Sequence, residues 1–135
     1  MALRVVQLGT PRRRSEGLRI GTVRHLPRGV RKQDYARLDY FDVWLPELAP
    51  GAALVQWARS QPLVGSHWAS FGKHYRREMS QPAAARLIAL LAALSRQTNI
   101  SVGCYCEDSN QCHRSILKDL LVESGAKIAT QRPAR

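Results

Sequence analysis

Residues with chemically reactive side chains are concentrated in one short segment near the carboxyl end of the chain. All three cysteines lie there, at positions 104, 106 and 112, and the last is followed by His113, Arg114 and Ser115. An odd number of cysteines without a secretory signal predicts reduced thiols in a cytoplasmic protein. Thiols beside an imidazole and a guanidinium could bind a metal, attack an electrophile or help to hold an anion.

A zinc site is the first interpretation, because three thiolates and one imidazole are the ligands that zinc takes in many proteins. The spacing is unfavourable, since Cys112 and His113 are adjacent and their side chains would diverge by about 100° around a helix axis. Structural zinc sites usually take their ligands from closely spaced pairs rather than from adjacent residues. We therefore expect neither a metal nor another cofactor, and a zinc-binding protein remains an alternative.

A nucleophilic thiolate is the second interpretation, with Cys106 or Cys112 as the nucleophile. A cysteine that faces a helix start beside Arg114 and an imidazole would have a lowered pKa. The spacing from Cys106 to Arg114 is longer than in the phosphate loop of cysteine phosphatases, so that loop is not predicted. Cys104 shares a strand face with Cys106, and we expect its small apolar side chain in the core.

An anion pocket without covalent chemistry is the third interpretation, and it is the favoured one. Residues 99–106 form a predicted buried strand that leads through a short loop into a helix from Cys112. The backbone N–H groups of residues 112–115 would then lie at the carboxyl edge of a sheet, where open α/β folds bind ligands. Arg114 and Ser115 would add side-chain donors, and the histidine between them and Cys112 could bond the ligand or shuttle a proton.

The elements that must position this segment follow from the hydrophobic periodicity. Alternating apolar residues predict strands first, and a period near 3.6 then predicts helices, with Ser66 as the N-cap of the longest. An aromatic stripe at helical spacing, which includes Tyr75, is expected in the core. The predicted strands are 3–8, 18–23, 40–45, 99–106 and 127–129, and the predicted helices are 52–59, 66–79, 83–94 and 112–124.

This order of elements predicts an α/β fold, with a mostly parallel sheet of four to five strands flanked by helices. We expect a single compact layered domain over residues 1–129, followed by a polar tail at residues 130–135. The 44% hydrophobic content excludes a disordered chain. The longest apolar run, 87–94, is too short for the roughly 20 residues of a membrane helix, so no membrane partner is expected.

The charge is strongly positive and unevenly distributed. The chain has 21 Lys and Arg against 10 Asp and Glu, a formal net charge of +11. Residues 1–37 hold most of this excess, and arginine is the main cation throughout. Guanidinium groups match phosphate and carboxylate in two-point contacts, which indicates an anionic small-molecule ligand. Nucleic acid bound by the Arg-rich N-terminal third is the alternative partner, and a solvated surface such as Arg12 to Arg14 would need no partner at all.

Four ordered motifs resemble the YeaO-like family, domain of unknown function family 488, which comprises uncharacterised bacterial proteins. They are VRHLPRGV at 23–30, WLPELAP at 44–50, WxxFxxxYxxE at 68–78, and CYC with CHRSxL at 104–117. The resemblance implies a compact α/β fold and no established activity. The chain departs from many members at Val23, where they carry Asp, and at Gly51, where Ser often follows Ala-Pro.

The roles of the matching residues follow from their chemistry. Arg24 comes directly after the second strand. If the second and fourth strands are parallel neighbours, Arg24 and Arg28 converge with residues 112–115 on one cleft. Arg24, Arg28 and Arg114 would then clamp an anion, with Cys106 and the histidine of that segment as the reactive pair.

Four further residues receive predictions of their own. Glu47 could orient an arginine or act as a base, or it could form a structural ion pair. The ring of Tyr75 is expected in the core, and its hydroxyl could still reach the cleft. His67 and His74 are expected on the surface beside the aromatic stripe.

The lead hypothesis is a small cytoplasmic enzyme or ligand-binding domain that acts on a phosphorylated or otherwise anionic small molecule, such as a nucleotide. The alternatives are a nucleic-acid-binding accessory protein and a thiol redox or zinc-binding protein. The predicted catalytic residues are Cys106 and His113, and the predicted ligand-binding residues are Arg24, Arg28, Glu47, Tyr75, Cys112, Arg114 and Ser115.

Overall fold

The fold is taken from a computed structural model that describes residues 1–106 and 112–129. Within these residues it contains four strands and four α-helices. The predicted loop at 107–111 and the predicted polar tail at 130–135 lie outside the described residues. The strands are β1 (Leu3–Gln7), β2 (Leu18–Gly21), β3 (Val43–Trp44) and β4 (Ile100–Cys104), and the helices are α1 (Ala52–Ala58), α2 (Gly65–Met79), α3 (Pro82–Leu94) and α4 (His113–Glu123).

All four strands form one parallel sheet in the order β1-β4-β2-β3, which confirms the predicted α/β class. Strand β4 lies at the centre, and Ile100 is in register with Leu3 on one side and Leu18 on the other. The second and fourth strands are therefore parallel neighbours, as the predicted cleft required. The predicted last strand at 127–129 is reduced to one parallel bridge between Leu3 and Ile128.

The main core lies between the sheet and the helices. Phe71, Tyr75 and Met79 are buried along one face of α2, as the helical spacing predicted. They pack in the same cluster as Ile88 of α3 and Leu117 of α4, and full burial of such side chains stabilises a fold by about 1.5–3 kcal/mol each. No helix within residues 1–106 and 112–129 has the length and apolar character of a membrane span.

Two local predictions are wrong. Helix α2 begins at Gly65 with Val64 as its N-cap residue, so Ser66 lies inside the helix and does not cap it. His67 is buried rather than on the surface, with Nε2 3.0 Å from the carbonyl oxygen of Ala58 and its ring 4.1 Å from that of Trp57. The reason is that α1 packs across the start of α2 and covers this face, which the sequence pattern does not reveal.

Gly17, in the turn before β2, packs closely against the backbone of Asn99, the residue before β4. Its φ is +67°, and a Cβ there would lie 1.8 Å from the carbonyl oxygen of Asn99. We expect Gly17→Ala to lower the free energy of unfolding by about 2–4 kcal/mol, from backbone strain and the forced shift of strand β4. Urea denaturation measures this change.

Gly29→Ala is the matched control for that prediction. Gly29 has a similar φ of +71°, and its Cβ would meet no atom within 4 Å. It should cost only the conformational strain, about 1 kcal/mol. Equal losses in the two variants would show that the contact with Asn99 carries no weight.

Candidate functional site

A cavity of about 430 Å³ lies where the carboxyl ends of β2 and β4 meet the start of α4. We call it the cysteine cavity. Its position is the one that open α/β sheets use for ligands. The charged, imidazole and thiol side chains along its wall are those of Arg24, His25, Arg59, Cys104, Cys106, Cys112 and His113.

The three cysteine sulfurs form one cluster in this cavity, with all Sγ atoms within 4.8 Å of one another. Cys104 and Cys112 are buried, and Cys106 is exposed. The Sγ atoms of Cys104 and Cys112 are 2.8 Å apart. Cys104 therefore lies in the core, as expected, and is also a member of the sulfur cluster.

Cys106 is the member of the cluster that carries a negative charge most easily. Hydrogen bonds from the thiols of Cys104 and Cys112, with the positive charge of Arg114 nearby, lower the pKa of Cys106 to about 2. The pKa values of the two donor thiols, Cys104 and Cys112, change in the opposite direction. Donation to Cys106 raises the pKa of Cys104 to about 11, and the hydrogen bonds with Cys104 and then Cys106 raise that of Cys112 strongly. The cluster therefore favours one exposed thiolate beside two buried thiols.

His113 is held in one orientation at the back of the cavity. Its Nε2 atom lies 2.7 Å from the carbonyl oxygen of Thr22, which can only accept a hydrogen bond, so Nε2 carries the proton. Its Nδ1 atom then faces the Sγ of Cys112 at 3.6 Å. Burial lowers the pKa of His113, which favours the neutral ring. The unprotonated Nδ1 atom can therefore accept a hydrogen bond from the Cys112 thiol.

The three arginines of the predicted clamp lie in different places. Arg24 lines the cavity, and its Nε and Nη2 atoms donate to the carbonyl oxygens of Pro50 and Ala49 at 3.1 and 3.3 Å. Arg28 is exposed and lines an adjoining cavity instead. Arg114 is buried, and its Nη1 atom donates to the carbonyl oxygen of Val6 at 2.9 Å. The structure thus brings only Arg24 of the three to the cysteine cavity.

Three other predicted ligand-binding residues also lie away from the wall of this cavity. The Ser115 hydroxyl donates to the carbonyl oxygen of Cys112 at 2.9 Å, which braces the first turn of α4. Tyr75 is fully buried, and its hydroxyl donates to the carbonyl oxygen of Leu48 at 2.7 Å rather than to the cleft. Glu47 is exposed and does not line the cavity. Cys112, by contrast, lines it.

The comparison with protein families agrees with the motif order found in the sequence. The family DUF488-N3a, described as the active DUF488-N3 subclade, matches residues 3–125. The chain belongs to the DUF488 family. Separate comparisons of this DUF488 domain with curated proteins and with solved structures give no match.

Two residues of the site in this DUF488 domain were not found by sequence reasoning. Thr22 holds His113 through its backbone carbonyl, which leaves no trace in the side-chain pattern. Arg59 follows the last turn of α1 and lines the cavity, but a single arginine after a helix is common on protein surfaces. Only its place on the same cavity wall as Cys106 distinguishes it.

Part of the N-terminal charge has a structural role. Arg12 pairs with Asp39 at 3.3 Å and with Asp42 at 2.8 Å, and the hydrogen bond to Asp42 raises the pKa of Arg12. Arg19 is buried against Glu16 at 3.1 Å. Arg12 therefore holds two loops together rather than lying free in a solvated triplet.

Proposed function

We propose that this DUF488 domain acts on a small anionic molecule through a nucleophilic thiolate at Cys106. The observation that carries the proposal is the division of roles in the sulfur cluster. The one exposed sulfur has the lowered pKa, and it opens into a cavity large enough for a small molecule. The description of the subclade as active supports a working site.

The chemical step needs no separate base at Cys106. A sulfur that is already a thiolate forms a bond to an electrophilic atom of the substrate, and the leaving group departs with the bonding electron pair. The thiols of Cys104 and Cys112 donate hydrogen bonds to the reacting sulfur. Arg24 supplies the positive charge on the cavity wall that favours an anionic substrate.

The pH profile of alkylation tests the thiolate. The reaction of an ordinary thiol with iodoacetamide becomes about tenfold faster per pH unit below its pKa of about 8.5. At Cys106 we expect a rate that stays nearly constant between about pH 5 and pH 8, since the thiolate is already formed. Quantitative peptide mass spectrometry assigns the label to each cysteine.

Two variants make this experiment specific. Cys106→Ser should leave the protein almost unlabelled at the acid end, because Cys104 and Cys112 are buried and keep their protons. Cys112→Ala removes one hydrogen-bond donor to Cys106, so the Cys106 profile should begin to rise with pH. An intact Cys106 whose rate climbs tenfold per pH unit, as in a free thiol, would overturn the proposal.

Thiol redox chemistry is a second candidate, favoured by the 2.8 Å separation of the Cys104 and Cys112 sulfurs. This contact is shorter than two thiols usually make, and the pair is close enough to form a disulfide after small movements. In this alternative Cys106 would attack a disulfide substrate and release one substrate thiol. Cys112 would then displace the second substrate thiol from the mixed disulfide, and Cys104 would displace Cys106, which leaves the pair as a disulfide and the substrate as two thiols. Measurement of the reduction potential of the pair separates this candidate from a non-redox nucleophile.

A further inference from the structure

A second cavity of about 640 Å³ adjoins the cysteine cavity. The two share three wall residues, His25, Arg59 and Tyr105. Arg28 and Tyr40 complete the polar wall of the second cavity, which we call the arginine lobe. A ligand that reaches Cys106 can therefore extend into the arginine lobe past residues that belong to both.

Among the described residues, the charge along this double cavity has one sign. Arg24, Arg28 and Arg59 line it, and no Asp or Glu is among the described residues on either wall. Neither Arg28 nor Arg59 takes part in the ion pairs found within residues 1–106 and 112–129. Guanidinium groups with no ion pair in that part of the chain are well suited to a phosphate, which accepts two-point hydrogen bonds from each.

A hydrogen bond and a ring contact position the wall between the two cavities. The hydroxyl of Tyr105 donates to the carbonyl oxygen of His25 at 2.9 Å, and its ring packs edge-on against Tyr40 at 6.2 Å between centroids. Burial, with the neighbouring tyrosines Tyr35 and Tyr40, raises the pKa of Tyr105 to about 12. The phenol stays neutral at physiological pH and does not repel an anion.

We propose that the substrate is a small phosphomonoester whose phosphate binds Arg28 and Arg59 in the arginine lobe while its reacting group lies at Cys106. The inference rests on the proposed function, since it assigns the substrate class of the same thiolate. The phosphate is remote from the reacting atom. Its role is to hold the substrate in place, so Arg28 and Arg59 determine specificity and take no part in bond formation.

The test compares an anionic and a neutral alkylating reagent at Cys106. Iodoacetate and iodoacetamide both form a carbon–sulfur bond and release iodide, and they differ in charge. A positive double cavity should raise the iodoacetate-to-iodoacetamide rate ratio at Cys106 roughly tenfold above that of a small free thiol at low salt. Arg28→Gln with Arg59→Gln should return the ratio towards that of the free thiol, because both substituted residues line the cavity that the anionic reagent enters.

A control variant and a protection experiment complete the test. Arg77→Gln with Arg86→Gln removes the same charge from exposed positions that line neither cavity, and it should keep the high ratio. Ribose 5-phosphate and adenosine monophosphate should slow iodoacetamide labelling of the wild type but not of the variant at Arg28 and Arg59. Adenosine, which lacks the phosphate, should give no protection.

The outcomes separate the two proposals. A labelling rate that follows the pH profile of a free thiol overturns the nucleophile itself. A pH-independent rate with an unchanged reagent ratio in the Arg28 and Arg59 variant overturns only the phosphate site. Protection by adenosine equal to that by its monophosphate also overturns the phosphate site, since the recognised group would then be the nucleoside.

Discussion

Arg19→Met should lower the free energy of unfolding by about 3–5 kcal/mol, because it leaves the buried carboxylate of Glu16 without its positively charged partner. The Arg19 side chain is 1% exposed, and its Nη2 atom lies 3.1 Å from Glu16, which is 2% exposed. Its Nη1 atom also donates to the carbonyl oxygen of Thr10 at 2.7 Å. Arg19 thus joins the turn before β2 to the loop after β1. Urea denaturation of the wild type and the variant measures the loss.

The double variant Glu16→Leu with Arg19→Met separates the unpaired charge from the lost packing. Removing both members of a buried ion pair costs much less than removing one, and it can be nearly neutral. We expect the double variant to recover a large part of the stability that Arg19→Met loses. If the free energy of unfolding of Arg19→Met lies within about 1 kcal/mol of that of the wild type, the prediction is wrong, and Glu16 has found another partner or taken up a proton.

Oxidation of Cys104 and Cys112 to a disulfide should lower the fraction of Cys106 that is present as thiolate. A diazene oxidant such as diamide takes up two electrons and two protons as the two thiols become a disulfide. Cys106 then loses the two S–H donors that lower its pKa. If its pKa returns to about 8.5, the thiolate fraction near pH 6.5 falls about a hundredfold. Thiolate ultraviolet absorbance measures this fraction, and intact mass reports the loss of two hydrogens.

Two variants test the assignment of that disulfide. Cys106→Ser should still form the bond, since the reacting pair is Cys104 and Cys112, whose sulfurs are already 2.8 Å apart. Cys112→Ser should not form it. Peptide mapping that places Cys106 in the oxidised product, or an unchanged thiolate signal after oxidation, would contradict the prediction.

The helices and the parallel sheet could be predicted from the sequence because their signals are local. The spacing of Phe71, Tyr75 and Met79 defines a helix face, and this face is buried. Strand β3 shows the limit of such signals. Its apolar pattern at 40–45 predicts six residues, but only Val43–Trp44 pair with β2. The Asp42 backbone N–H still donates to the carbonyl oxygen of Arg19 at 2.8 Å, but the Arg19 N–H donates to the Asp42 carboxylate at 2.8 Å and not to a strand carbonyl.

The predicted anion clamp shows why site geometry is harder to predict. Arg24 and Arg28 are close in sequence, but the turn after β2 carries Arg28 into the adjoining cavity. Arg114 lies in the first turn of α4. Whether it faces the ligand or the sheet depends on how that helix is rotated against β1. The contact between Arg114 and the carbonyl oxygen of Val6 shows that it faces the sheet.

By itself, the sequence determined the fold class, the family resemblance and the segment that holds the reactive residues. These follow from periodicity and residue type, which depend on neighbours along the chain. Only the tertiary structure decided that Cys106 is the exposed sulfur, that His113 faces Cys112, and that Arg59 joins the site. The physical reason is that a pKa and a cavity wall depend on groups brought together in space. Thr22, for example, meets His113 from 91 positions away along the chain.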